Sequence, residues 1–269
     1  MGLDVAFPSK TSAGLAYRSG SLCRVSTGDQ ELAKTRQKRV DGLTRSDKAR
    51  ITRLRAKLLD WFTENGRALP WRSPGTSTYE KICAEVLLQR TRAETVARFY
   101  GTFFDRYPGW NDLAAAPIED LKEFLKPIGL WRRRAVSINA LASYAAEHGG
   151  CFPLGRTELS KVPAVGQYVA NAILLFQHGV SSPLVDVNMA RVLERYLRPR
   201  KLADIRHDPW LQEAAHWLVK CDDPVRVNWA TLDFAALICR ERSPLCLECP
   251  FRSRCNFARE LHGVTAGRR

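Results

Sequence analysis

The sequence predicts an all-α protein, and three observations carry that prediction. From Arg50 onward, apolar residues recur at the three- and four-residue spacing of one helix face. Glycine and proline punctuate the pattern, and no stretch alternates apolar with polar residues as a half-buried strand would. Ile51, Leu54, Leu58 and Phe62 define a first helix, with Gly66 standing where a C-terminal cap belongs. Ser77-Thr78-Tyr79-Glu80 reads as a capping box opening a second, with Ile82, Val86 and Leu87 turned to the core. Further helices are expected near 93–107, 117–126, 131–147, 167–178, 187–197, 208–220 and 226–239. Pro108, Gly109, Pro127, Gly129, Gly149, Gly150 and Pro153 fall in the loops between them.

With 269 residues, 45% hydrophobic and 26% charged, the chain has the composition of a globular protein with room for a sizeable core. The 42 Lys and Arg outnumber the 28 Asp and Glu, a formal charge of +14 that suits a polyanionic partner, nucleic acid first. No apolar run approaches the ~20 residues of a membrane helix. The N-terminal stretch carries Asp4 and lacks the apolar core and cleavage site of a secretory signal. Ala6 also breaks the myristoylation pattern begun by Met1-Gly2. The eight cysteines are therefore expected in a reducing compartment, where clustering points to metal or catalysis rather than disulfides. Residues 1–48, with Lys34, Arg36, Lys38 and Arg39, read as a basic, disordered tail, and 261–269 as a second tail.

Four local patterns carry chemistry. Cys239, Cys246, Cys249 and Cys255 stand in a C-x6-C-x2-C-x5-C array, four thiols that can enclose either tetrahedral zinc or an iron–sulfur cluster. Val162-Pro163-Ala164-Val165-Gly166 forms a tight turn before an apolar helix, whose N-terminal N–H groups can meet a phosphate without reading sequence. Asp186 opens another helix. It suits a plain N-cap, and an ionised carboxylate there also suits a developing sugar cation. Glu85 and Gln89, four apart, share a helix face separate from Ile82 and Val86. Glu85 alone reads as a solvated residue, but paired with Asp186 it makes two carboxylates able to flank a glycosidic bond.

Together these residues resemble the endonuclease III and MutY superfamily of helix-hairpin-helix DNA glycosylases. The matching pieces are Leu69-Pro70-Trp71-Arg72, Ala84-Glu85-Val86-Leu87-Leu88-Gln89, the Val162–Gly166 hairpin, Asp186-Val187-Asn188 and the cysteine array, spread over about residues 50–260. The resemblance implies a [4Fe-4S] cluster on the four cysteines. It also implies a six-helix barrel domain over 71–182 and a cluster domain built from 49–70 and 183–260, with DNA across the cleft between them. Bifunctional members carry a lysine after the hairpin as a Schiff-base nucleophile. Here Tyr168 takes that place and no lysine lies between Lys161 and Lys201, so a monofunctional enzyme using water is implied. Val187 after the aspartate, the short Gly129–Ala135 segment and the early end of the chain after Cys255 resemble the Mig-type mismatch glycosylases.

That resemblance assigns thymine, and uracil, opposite guanine as substrate. Asp186 would stabilise the oxocarbenium-like sugar and direct water, Glu85 would hydrogen-bond or protonate the leaving base, and Tyr168 would line the pocket. Gln89 would wedge into the emptied stack, with Arg90, Val162, Ala164, Val165 and Gly166 against the DNA. Ala164 departs from the family hairpin, which has glycine there. The rivals are a MutY-like adenine glycosylase without the domain that inspects oxidised guanine, and a non-catalytic DNA-binding module. Expected partners are mismatched double-stranded DNA and downstream abasic-site repair enzymes, with no membrane and a monomeric state. The expected location is the cytoplasm at the nucleoid, or the nucleus in a eukaryote.

Overall fold

The computed structural model describes residues 42–261, all within one compact unit. The expectations for the tails therefore lie largely outside the described residues. Among those residues there are twelve α-helices and no strand. In chain order they are α1 (Arg45–Asn65), α2 (Thr78–Leu88), α3 (Ala93–Arg106), α4 (Trp110–Ala114), α5 (Ile118–Phe124) and α6 (Trp131–Glu147). There follow α7 (Arg156–Leu159), α8 (Gln167–Phe176), α9 (Val187–Tyr196), α10 (Pro209–Val219), α11 (Pro224–Leu237) and α12 (Asn256–Leu261).

The caps explain where the site-bearing helices begin. Ser77 and Glu80 form the reciprocal box expected at the start of α2, and Asp186 accepts from the backbone N–H groups of Asn188 and Met189 at the start of α9. Helix α1 starts at Arg45, ahead of the first apolar residue, because Thr44 and Asp47 form a capping box of their own. Helix α2 stops at Leu88, so Gln89 lies on the turn beyond it rather than on the Glu85 face. Glu85 itself is 2% exposed, not solvated.

Apolar faces gather into two main cores. The first draws on Leu69 to Leu174, with Ile82, Phe103, Leu121, Ile138 and Ile173 fully buried. The second joins Ile51, Leu54 and Leu58 of α1 to α9, α10 and α11 and to Phe251 beside the cysteines. Helix α8 is buried from Val169 to Leu175 and faces the first core, while Ala172 and Leu175 form a small third cluster with Leu184. The segment leading from α8 to α9 has no ladder to satisfy its backbone, so buried amides do so. Asn171 Nδ2 donates to Pro183 O (2.7 Å), and Asn228 accepts from Leu184 N (2.7 Å) while donating to Ser182 O (3.1 Å). These bonds fix the approach to Asp186.

The loop from α1 into the first core is tied to α11 by a fully buried carboxylate. Asp233 accepts from Arg67 N and Nε (both 2.8 Å) and from both terminal nitrogens of Arg72 (2.8 and 3.0 Å). Removing the charge of such a hub strands the buried Arg72 guanidinium, while Arg67 keeps Glu94 (2.9 Å), and breaking a buried pair costs on the order of 3–5 kcal/mol. Asp233→Asn should therefore lower stability by ~3 kcal/mol or more in urea denaturation; a change below ~1 kcal/mol would show that the pair network is dispensable.

Candidate active site

Helices α2 and α8 and the cap of α9 bring Glu85, Tyr168 and Asp186 to one cleft of about 1030 Å³. Leu69, Trp71, Arg72, Gln89, Arg90 and Val187 also line it. A second groove of about 550 Å³ runs past Ala164, Val165, Gly166 and Arg133, and Gln89 and Tyr168 line both spaces. The catalytic candidates and the hairpin thus belong to one continuous surface.

The Tyr168 phenol donates to Glu85 Oε2 at 2.7 Å. Burial pushes the Glu85 carboxyl up to about 7, and the charge of Asp186 adds to this against the Tyr168 bond and the Arg72 charge. Burial also raises Tyr168 well above the usual phenol range, so it stays a donor. A proton on Glu85 therefore belongs on Oε1, and near neutrality the group is poised between acid and base. Burial raises Asp186 as well, but three donors and the Arg191 charge oppose that effect. Asn188 N (2.9 Å) and Met189 N (2.8 Å) donate to Oδ1, and Asn188 Nδ2 donates to Oδ2 at 2.6 Å. Such donors favour the anion. The N-cap role and a charge-bearing role are thus held by one carboxylate, one oxygen of which caps the helix.

Arg191 extends this network. It donates to Asn188 Oδ1 (3.0 Å), Ala235 O (3.0 Å) and Cys239 O (2.8 Å), joining the Asp186 end of α9 to the first cysteine of the array. The thiols of Cys239, Cys246, Cys249 and Cys255 lie within one another's field; burial first, then the charges of the other three, pushes Cys249 up to about 12. Arg195 donates to Cys239 Sγ at 3.6 Å. Among the described residues no three His, Cys, Asp or Glu are grouped as ligands of a single metal ion.

At the hairpin, Ala164 takes the left-handed conformation (φ 62°) and Val165 N donates to Val162 O at 3.2 Å. Helix α8 has no side-chain cap at Gly166, leaving its first-turn N–H groups for an anion. Val162 is buried in the first core at the floor of the groove, whereas Ala164 and Gly166 are exposed. Sequence reasoning gave no role to Asn188, Arg191 or Arg134. Asn188 reaches Asp186 across two residues, whereas Arg191 and Arg134 find their distant partners only once α9 is set against α11, and α6 against the turn after α2.

A helical chain with an uncapped hairpin helix, two buried carboxylates in a cleft and a strongly basic composition has the parts of a nucleic-acid-directed hydrolase. The chain belongs to the HhH-GPD superfamily of base excision DNA repair proteins, whose family model matches residues 83–206. It is 36% identical over 216 residues to a thymine-DNA glycosylase of Aeropyrum pernix, covering 78% of this chain and 96% of that one. It is 34% identical over 204 residues to a thymine/uracil-DNA glycosylase of Pyrobaculum aerophilum, covering 74% of this chain and 88% of the relative. The solved structure of a thermostable thymine-DNA glycosylase superposes with a TM-score of 0.71 at 29% identity, covering 79% and 98% of the two chains.

The raised Glu85 carboxyl has a stability consequence with a definite sign. Folded Glu85 holds its proton to about pH 7, whereas an unfolded glutamate releases it near 4.5, so its contribution is fully present below 4.5 and is lost as pH rises through 7. That loss is about 3 kcal/mol. Glu85→Gln should be more stable than the native chain at pH 8, with the difference closing toward pH 4.5 in urea denaturation. A difference independent of pH would contradict the buried, proton-holding carboxyl.

Proposed function

We propose that the chain is a monofunctional DNA glycosylase that flips thymine, and uracil, out of a mispair with guanine and hydrolyses its N-glycosidic bond. The observation that carries this reading is the Glu85–Tyr168–Asp186 constellation, two buried carboxylates and a phenol where a lysine nucleophile would otherwise stand. The names of the similar proteins support the choice of base. Extruding a mispaired base costs less than extruding a paired one, which biases selection toward mismatches.

The base then enters the cleft beside Glu85. Glu85 hydrogen-bonds the base through Oε1–H, and Tyr168 fixes the other carboxyl oxygen. As the C1′–N1 bond breaks, its electron pair leaves with the base and positive charge builds on the sugar. The Asp186 anion faces that charge, and water adds to C1′ as its proton passes to Asp186. The products are free base and an abasic strand, which downstream abasic-site enzymes would consume. Tyr168 offers no amine, so no covalent sugar–enzyme bond forms.

The four cysteines would hold a [4Fe-4S] cluster. Their donor set is four soft thiols lying within one another's field, which is the ligand chemistry an iron–sulfur cluster takes. When bound, the cluster would brace the loop bearing Arg240, Arg242, Arg252 and Arg254 against a phosphate chain. We assign the barrel to 71–182 and the cluster domain to 49–70 with 183–260. The chain would act as a monomer on mismatched duplex, in the cytoplasm at the nucleoid or in a eukaryotic nucleus.

Single-turnover assays on G·T, G·U and adenine opposite oxidised guanine test the reading. G·T and G·U should be processed and the adenine duplex spared; the reverse order would make the chain an adenine glycosylase. Borohydride should trap no covalent complex. Asp186→Asn should lose ~10²–10³ in rate, as expected for a charge facing the transition state, while binding mismatched duplex within a few-fold. An Asp186→Asn enzyme at native rate would leave the carboxylate with its capping role alone. The purified protein should carry iron and acid-labile sulfide in equal amounts, and a zinc-loaded, colourless, active protein would overturn the cluster assignment.

A further inference from the structure

Arg134, in the first turn of α6, is 5% exposed, yet its guanidinium meets only neutral oxygens in its hydrogen bonds. It donates to Ile128 O (3.0 Å) and Gly129 O on the turn before α6, and to Gln89 O (2.9 Å) and Thr91 Oγ1 (2.8 Å) on the turn after α2. Thr91 Oγ1 in turn donates to Ile128 O at 3.3 Å. One cation therefore staples two chain segments some forty residues apart.

The placement is unfavourable on two counts. A guanidinium buried without an anion loses hydration that neutral acceptors only partly replace, and a cation at a helix N-terminus opposes the macrodipole. The stapled turns are strained as well. Arg90 (φ 56°) directly follows the Gln89 carbonyl that Arg134 binds, and Leu130 (φ 51°) directly follows the Gly129 carbonyl that it binds. Non-glycine residues persist in that conformation only where the surroundings over-determine it. Both turns present exposed side chains, Gln89 and Arg90 at the cleft and Leu130 at 51% exposure.

We propose that Arg134 is a positioning residue that locks the Gln89–Arg90 and Gly129–Leu130 turns into one rigid two-pronged wedge, holding open the duplex from which the base has been flipped. This rests on the glycosylase reading above. The lock acts on the duplex and leaves the chemistry of Glu85 and Asp186 alone, which separates it from a role in folding.

The test uses the full chain with Arg134→Met, and Thr91→Val as a milder variant that removes only the hydroxyl bridge. Single-turnover excision is measured on a G·U duplex and on uracil within an unpaired loop, where no stack must be held open. Fluorescence of 2-aminopurine beside the mismatch reports the flipped fraction. Both variants should lose activity on the duplex, Arg134→Met by ~10–100-fold, the scale of a small misplacement. The loop substrate should keep its rate within a few-fold, and the flipped fraction should fall. Equal losses on both substrates, or no loss on the duplex, would overturn the proposal. A native chain that excises uracil from neither substrate would instead sink the glycosylase reading.

Discussion

The buried Asp233 carboxylate is the constraint on which the site depends. It sits on α11 in the second core, while its partners, Arg67 and Arg72, lie on the loop entering the first. A carboxylate with no solvent contact needs every one of these donors. The consequence is geometric: α11 cannot shift against the loop without stranding charge. Arg72, held by Asp233, also lines the cleft and lowers the Glu85 carboxyl against the larger effect of burial. The interaction that joins the two cores therefore also sets part of the field in which Glu85 titrates.

The two carboxylates of the cleft differ in their donors rather than in their burial, which both share. Against its burial Glu85 has only the Tyr168 phenol and the Arg72 charge, with the Asp186 charge adding to the burial, so its proton is held to about pH 7. Asp186 has two backbone N–H groups, the Asn188 amide and the Arg191 charge. Environments that differ in this way are what fit two neighbouring carboxyls for different protonation states. The stability Glu85 forfeits above neutrality is the cost of keeping a proton-holding group in a dry pocket.

What could be read from the sequence follows how local each signal is. The Ser77–Glu80 box and the Asp186 cap are contacts across three residues, and both appear as expected. The Thr44–Asp47 box is equally local, but Arg45, Lys48 and Arg50 hid it within a basic stretch without an apolar stripe. The end of α2 carries no glycine or proline. Leu88-Gln89-Arg90-Thr91 continues the helical pattern, and the chain turns there where Arg134 binds the Gln89 carbonyl, a tertiary effect. Glu85 looked exposed because one stripe of apolar residues suffices to seat a helix, yet α2 is covered on several sides, by α8, α3 and α6. The Glu85–Tyr168 bond, across 83 positions, was not anticipated: resemblance placed Tyr168 in the pocket without pairing it to Glu85, and no periodicity links the two.

Ala164 shows how a departure from a family pattern can leave geometry in place. Glycine is the usual occupant of a left-handed turn residue because an L side chain costs roughly 1–2 kcal/mol there. Ala164 adopts φ 62° regardless, with the Val165-to-Val162 bond closing the turn and the helix after Gly166 left without a side-chain cap. A hairpin that meets phosphate through its backbone needs its N–H groups aimed outward, and a methyl group on the exposed apex does not re-aim them. The strain is carried by the apolar anchoring on either side, Val162 in the first core and the buried run of α8 beyond. The turn's shape is thus imposed from beneath by packing, and the residue at its tip is free to depart from the family's choice at a modest energetic cost.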